Sequence, residues 1–402
     1  MTSEYGLLSP GAHRAAGMAD DDAVVAAMGR VEIAWLRALA SVGVIDAEDV
    51  DKVSRMIADS RIDATALRDG AEASGNPVVP YVAAIRSSLD QRLAASVHRG
   101  LTSQDVLDTA LILLSRDALG RVRGDLTAIV GRLAELADRH RESVMVGRTL
   151  TQHAVPTTFG LKAAQWLSGA IDARDRVDGA AASLPVQCGG AAGTLALVGE
   201  LTDDPVAAAA AFADDLDLVW PGLPWHTNRA PITAVGDALV AACDALGVIA
   251  ADVALLSRPE IAEVREGAVA GRGGSSTMPH KRNPVLSILV RSAALQAPQL
   301  GSQLHVAAAQ AVDERPDGAW HSEWPALRRL LELAVVAASQ ASELVAGLDV
   351  DPAAMRVRAE AAADELLAER GRPGSPADYL GATTTLIDAV LARVSGEGPH
   401  HG

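Results

Sequence analysis

Between Ile232 and Ser257 the chain carries its longest apolar run, with Pro231 at its start. A helix over that stretch spans on the order of 40 Å at 1.5 Å per residue. It has no polar face wide enough for solvent, and a helix apolar nearly all round is a buried one. Asp237, Asp244 and Asp252 interrupt the run, which argues against a membrane span. The segments 285–311 and 325–348 have the same character. Helices of this kind cannot hide their surfaces in a small monomer. The sequence therefore predicts an all-α fold whose central bundle of long helices is completed by other subunits.

The side-chain supply fits that expectation. Hydrophobic residues make up 49% of the chain but aromatics only 3%, so the core must be mostly Ala, Leu and Val. Alanine is the best helix former and permits close helix packing. At 402 residues there is material for two or three domains. We divide the chain into an N-terminal helical domain (1–100), a central long-helix domain (101–348) and a short C-terminal helical domain with tail (349–402). A net charge of −16 leaves no basic footprint for nucleic acid. An anionic substrate must then be drawn in by a local cationic pocket. Cys188 and Cys243 build neither a disulfide framework nor a zinc site. The N-terminus lacks a charged segment followed by an apolar one, so a soluble cytoplasmic protein is expected.

Along the chain, Asp20, Asp21 and Asp22 suit a helix N-terminus. The apolar period from Val24 to Leu39 continues that helix until Gly43. Further helices are predicted over 47–58, up to Leu67, over 80–95 and over 106–140, with Gly75-Asn76-Pro77 as a turn. Ser103 is the expected N-cap of the long helix, with Asp105 in its first turn. Gly120, Gly124 and Gly131 offer room for another helix to approach. Residues 144–155 read as a short extended piece, and Pro156 as the start of a helix over 157–177. A glycine-rich loop covers 185–194, a short helix 203–216, and a proline-braced loop 220–229. Residues 396–402 read as a loose tail.

Against this apolar background the polar loop 271–284 stands out. Its glycines let the backbone take positive φ and come close to a ligand. Successive backbone N–H groups there can form an anion-binding concavity. Ser275, Ser276 and Thr277 add hydroxyls, Lys281 a point charge and Asn283 an amide, while Pro279 and Pro284 restrict the loop. The spacing is not that of a P-loop, and no strand pattern precedes it. Similar polar clusters lie at 98–105, 148–153 and 225–229. Each alone is ordinarily a solvated connection. Together they hold hydroxyls, amides, histidines and cations suited to a small polyanion.

The run Gly-Ser-Ser-Thr-Met-Pro-His-Lys-Arg-Asn-Pro (274–284) resembles the signature loop of the fumarase/aspartase superfamily. Thr102-Ser103-Gln104-Asp105 is similar to its first signature region, and Arg148-Thr149-Leu150-Thr151-Gln152-His153 to its second. With 187–194 and 224–229, the likeness is greatest to the cycloisomerase branch, which lactonises a carboxylated muconate. It covers roughly 20–350. It implies a mostly helical three-domain homotetramer with each active site drawn from three subunits, acting on a small tricarboxylate without cofactor or metal.

By that resemblance Ser275 is the general acid/base at carbon. Serine is weakly acidic, so it needs anion stabilisation from nearby N–H groups or cations. Lys281 and Asn283 hold the carboxylate that becomes the aci-anion. His153 serves the opposite side, and since a lactonising carboxylate needs no base, its expected task is to orient or neutralise that carboxylate. Thr102, Ser103, Thr149, Gln152 and Ser276 are hydrogen-bonding candidates, and Arg229 is the candidate carboxylate clamp. His98 stands where related lyases carry a functional histidine, with a helix C-cap as its other reading; His226 is open. The remaining histidines, His13, His140, His305, His321, His400 and His401, read as structural or solvated. Adenylosuccinate lyase or another fumarate-releasing lyase stays open, as does an inactive binding homologue. Glu369, Arg370 and Gly371 fit the family pattern poorly, which leaves any active-site role of the short C-terminal segment open.

Overall fold

The computed structural model describes residues 6–60, 62–278 and 280–394. Pro279, His400, His401 and the tail expected at 396–402 lie outside the described residues. Helices make up most of the described chain. It begins with α1 (Asp21–Ser41), α2 (Ala47–Asp59), α3 (Ala64–Ser74), α4 (Val78–Ser87), α5 (Gln91–Ala94) and the long α6 (Ser103–Arg139). A hairpin follows, β1 (Val144–Thr149) and β2 (Gln152–Thr158), then α7 (Phe159–Ala182), α8 (Ala196–Gly199), α9 (Pro205–Leu216) and α10 (Ala230–Leu256). The rest comprises β3 (Val264–Arg265), α11 (Val285–Ala308), α12 (Gly318–Ala346), β4 (Asp349–Val350), α13 (Pro352–Ala361), α14 (Ala363–Leu366) and α15 (Thr383–Val394).

Two predicted boundaries are corrected. The helix expected over 80–95 breaks into α4 and α5, because the Asp90 carboxylate accepts the Leu93 N–H (2.9 Å) and starts a new helix. Pro156 does not open a helix. It sits in β2 opposite Val146, and the next helix starts at Phe159.

The chain forms two compact units. The first comprises Met1–Gly120, Gly179–Asp237 and Gln299–Glu332; the second comprises Arg121–Asp178, Ala238–Pro298 and Leu333–Gly402. In the first, α1 packs against α2 and α9. Its inner face places Met28, Val31, Trp35, Leu36 and Leu39 out of solvent. Trp35 meets Phe212 edge-on at 5.5 Å and donates its indole N–H to the Arg99 carbonyl (2.8 Å). Asp20 caps α1 through the Ala23 N–H (2.9 Å).

In the second unit, α13 and α14 pack on the hairpin through Val146, Ala359 and Leu366. The Glu266 carboxylate accepts the N–H groups of Leu286 (3.2 Å) and Ser287 (2.7 Å), which caps α11.

The helix α10 is long and apolar enough to cross a membrane by length and composition, and less than half of its most apolar window is buried within the chain. Along α11, Ile288, Leu295 and Val306 lie at helical spacing and are 50%, 75% and 58% exposed. Among the described residues, a side chain added at Gly120, Gly124 or Gly131 would meet nothing within 4 Å, so no described helix of this chain uses the room these glycines leave.

Candidate active site

The hairpin of the second unit owes its shape to two local features. Its register shifts between Val146 and Arg148, where Gly147 sits. A Cβ there would lie 2.4 Å from the Val155 carbonyl oxygen, so only glycine fits. The turn joins Thr149 to Gln152 through Leu150 (φ 48°) and Thr151 (φ 72°), both left-handed. Two-residue hairpin turns of this kind favour Asn-Gly. A branched Thr in that region is strained, and such strain concentrates at functional loops.

Arg148 anchors the hairpin from below. Its guanidinium takes Glu263 bidentately, at 2.9 and 3.1 Å, and Glu263 is fully buried. Thr149, Thr151 and His153 line a cavity of about 830 Å³ together with Lys162, Arg258 and Glu365. His153 Nδ1 lies 2.8 Å from Glu365 Oε2. A carboxylate at Nδ1 fixes the imidazole tautomer and leaves Nε2 as the free nitrogen. Gln152 turns its amide to the Thr151 hydroxyl (3.3 Å).

The signature loop is closed at its base. The Asn283 backbone N–H and its side-chain amide both donate to the Gly273 carbonyl, at 2.8 and 3.2 Å. Gly273 has φ +72°, and a Cβ on it would lie 2.6 Å from the Asn283 carbonyl oxygen. Arg272 ties the loop to Glu343. At the tip, Ser275 Oγ accepts the Met278 N–H (3.1 Å) and, at longer range, the Thr277 N–H (3.4 Å). Backbone donors aimed at a hydroxyl oxygen stabilise negative charge developing on it. Ser276 and Lys281 are exposed in the same loop.

The first unit holds Thr102, Ser103, His98 and Arg229. Thr102, not Ser103, precedes the helix; Ser103 is already the first residue of α6. The reason is Asp105, whose carboxylate reaches back to the Thr102 N–H (2.9 Å). Asp105 also accepts the N–H groups of Gly189 (3.0 Å) and Gly190 (2.9 Å) and meets His226 Nε2 at 2.8 Å. This buried carboxylate fixes the glycine-rich loop against the start of α6, and His226 is its partner.

Arg229 is corrected. It was expected to clamp a substrate carboxylate, but its guanidinium is fully buried between two of the protein's own acids. It pairs with Asp108 at 2.7 and 3.0 Å and with Glu323 at 2.7 and 3.1 Å, over the Trp225 ring at 4.8 Å. Burial alone would lower its pKa, yet Asp108 and then Glu323 outweigh this and hold it above its ordinary value. No donor is left to reach a ligand. His98, at φ 58°, is tied to the buried Glu32 by Nδ1 (2.7 Å) and by its backbone N–H (3.0 Å).

Cys188 and Cys243 are buried free thiols. Burial pushes the Cys243 thiol up to about 12 and the Cys188 thiol well above its usual range, so neither is a nucleophile.

Within the second unit, the cavity walls contain none of the described residues of the 271–283 loop, so Ser275 does not line the cavity that His153 lines. Sequence reasoning missed Glu365, which sits in no motif and acquires its partner only through folding.

Comparison with known proteins places these features. A family model described as lyase matches residues 15–298. A nitrosuccinate lyase of Streptomyces davaonensis is 45% identical over 377 residues, covering 91% of this chain and 79% of that protein. A 3-carboxy-cis,cis-muconate cycloisomerase of Bradyrhizobium diazoefficiens is 40% identical over 405 residues, covering 98% and 87%. Among solved structures, the beta-carboxy-cis,cis-muconate cycloisomerase of Acinetobacter calcoaceticus sp. ADP1 superposes with a TM-score of 0.86 at 28% identity, covering 97% of this chain and 100% of that one.

Proposed function

The chain belongs to the lyase family of the fumarase/aspartase superfamily, and on that premise we propose that it is a 3-carboxy-cis,cis-muconate cycloisomerase. The observation that carries the reaction type is Ser275 Oγ under the Met278 and Thr277 N–H groups, in a loop closed by Gly273 and Asn283. The substrate assignment is supported by the cycloisomerase relative that spans 98% of this chain.

In the lactonising direction, one substrate carboxylate oxygen adds to an alkene carbon. The displaced electron pair moves to the carbon beside another carboxylate, giving an aci-anion. Ser275 delivers its proton to that carbon, and solvent restores it. One C–O and one C–H bond form as one C=C bond is lost. In reverse, Ser275 takes the proton, which requires its oxygen to carry charge; the two N–H groups meet that need. Lys281 balances the aci-anion, with Asn283 and Ser276 beside it. His153, held by Glu365, orients the attacking carboxylate. Thr102, Ser103, Thr149 and Gln152 bind the remaining oxygens.

Part of the same proposal is a homotetramer in which each active site draws on three subunits. The exposed apolar faces of α10 and α11 support it. The division into 1–100, 101–348 and 349–402 is retained with it.

A second assignment has a specific observation behind it, the 45% identity to nitrosuccinate lyase. There Ser275 would remove the proton beside a carboxylate, nitrite would leave the adjacent carbon, and fumarate would remain. One experiment separates the two. Purified protein is mixed with 3-carboxy-cis,cis-muconate, whose diene absorbance falls on lactonisation, and separately with nitrosuccinate, read by nitrite release. Adenylosuccinate, read by fumarate release, tests the branch the motifs leave open. We expect kcat/KM for the muconate to exceed the others by at least a hundredfold. The reverse order assigns the elimination instead.

A further inference from the structure

The first unit holds a cavity of its own, of about 390 Å³, walled by α1, α3, α6 and α12. Thr102, Ser103 and Arg229 of the same unit are not among its lining residues. Its walls follow from the sequence. Leu107, Leu111 and Leu114 recur at helical spacing and turn one stripe of α6 into it. Met28 of α1, Leu67 of α3 and Leu331 of α12 complete the wall, and Trp324 adds an aromatic surface. Small side chains leave the room: Ala19, Ala64 and Ala71 stand where larger residues would fill it.

Charge enters the lining at one point. Asp21 takes Arg68 (3.0 Å) and Arg328 (2.6 Å), and all three side chains are partly exposed, so the cluster meets solvent. These charges are already engaged with one another, and Glu332 lies 3.9 Å from Arg328. An anionic ligand would have to take a guanidinium from Asp21, and a cationic one would sit beside two arginines. The Trp324 indole nitrogen is buried out of solvent reach. Water in the cavity therefore finds side-chain partners only at the Asp21 cluster, and its release to bulk favours an apolar occupant.

Size narrows the choice. A sphere of this volume is about 9 Å across, less than the roughly 10–12 Å of a helix with its side chains. The volume lies within the range of small-molecule sites, about 300–1,000 Å³. A rigid ring loses little conformational freedom on entering, and Trp324 offers it an aromatic contact.

We propose that this cavity is a binding site for a small neutral aromatic molecule of one or two rings, separate from the candidate active site. It stands independently of the substrate assignment.

The test uses the full-length protein with naphthalene as the neutral probe, measured by equilibrium dialysis in sealed cells. Its charged counterpart, 2-naphthoate, is measured by its displacement of naphthalene. Ala71→Phe and Val25→Phe each place a ring in the cavity from a different helix. We expect one naphthalene bound per chain, displacement by 2-naphthoate at least tenfold weaker than by naphthalene itself, and at least a tenfold loss of naphthalene affinity in each filling variant that keeps the wild-type melting temperature. Ser275→Ala should bind naphthalene as the wild type does. Naphthalene should raise the melting temperature of the wild type. A crystal of the wild type soaked with 2-bromonaphthalene locates the site without any variant, and the bromine should lie in the cavity against Leu111 and Trp324. No naphthalene binding by the wild type, undiminished affinity in a folded filling variant, displacement by 2-naphthoate as strong as by naphthalene, loss of binding in Ser275→Ala, or bromine elsewhere overturns the site.

Discussion

His153 and Glu365 are 212 residues apart in sequence, yet Nδ1 of one lies 2.8 Å from Oε2 of the other. The pairing exists because α13 and α14 seat on the hairpin through Val146, Ala359 and Leu366. The short C-terminal segment thus reaches a candidate catalytic group.

If Glu365 acts by orienting His153, Glu365→Ala should lower kcat/KM by roughly tenfold, at the low end of what a positioned acid–base group contributes. Glu365→Gln should retain more activity, since its amide oxygen still accepts from Nδ1–H. In a His153→Gln background, Glu365→Ala should have no further effect. His153→Gln should itself lose less than Ser275→Ala does. Additive losses in the double mutant would contradict the orienting role.

Arg229 predicts stability instead of substrate affinity. Arg229→Met leaves Asp108 and Glu323 buried without their counter-charge. Breaking such a pair costs about 3–5 kcal/mol. Urea unfolding should show a loss of that size. A variant as stable as the wild type but with a raised KM would restore the clamp.

The turn at Leu150 and Thr151 carries strain that a better sequence can relieve. Thr151→Gly removes a branched side chain from φ 72°. Stability should rise by about 1 kcal/mol, the cost of a left-handed non-glycine residue. Unchanged or lower stability would mean that the turn relaxes without penalty.

Much of this molecule was legible in the sequence. The long apolar segments announced α10, α11 and α12, because a helix without a polar face has one physical solution. The glycines of the signature loop likewise foretold its backbone, as Gly273 against Asn283 demonstrates. Partnerships were less accessible. Nothing local to Arg229 shows that it is sealed between Asp108 and Glu323, which lie far from it in sequence. Thr102 displaced Ser103 as the residue before α6 because the reach of Asp105 decides the cap. Pro156 reads as a helix start in isolation, but pairing with β1 overrides it.

His140 supplies a pH dependence. It is buried, stacks edge-on against Phe159 at 5.4 Å, and meets Ser143 Oγ at 3.0 Å. Burial, then Arg139 and Arg132, lowers its pKa below the ordinary 6.5. The unfolded chain therefore binds the proton more readily than the folded one. The contribution is fully present above pH 6.5 and is lost as pH falls through the depressed folded value. Thermal melts from pH 7.5 to 5 should show the wild type losing stability more steeply than His140→Asn. Parallel curves would exclude His140 as the source.

The central claim is that Ser275 moves the proton at the carbon beside a carboxylate. The most direct measurement is the initial fall in diene absorbance when 3-carboxy-cis,cis-muconate meets wild-type protein or Ser275→Ala at equal concentration. The account predicts a drop of at least a thousandfold in kcat on removing this hydroxyl, about 4 kcal/mol of barrier. A Ser275→Ala protein within tenfold of the wild type would contradict the account and place the proton transfer elsewhere.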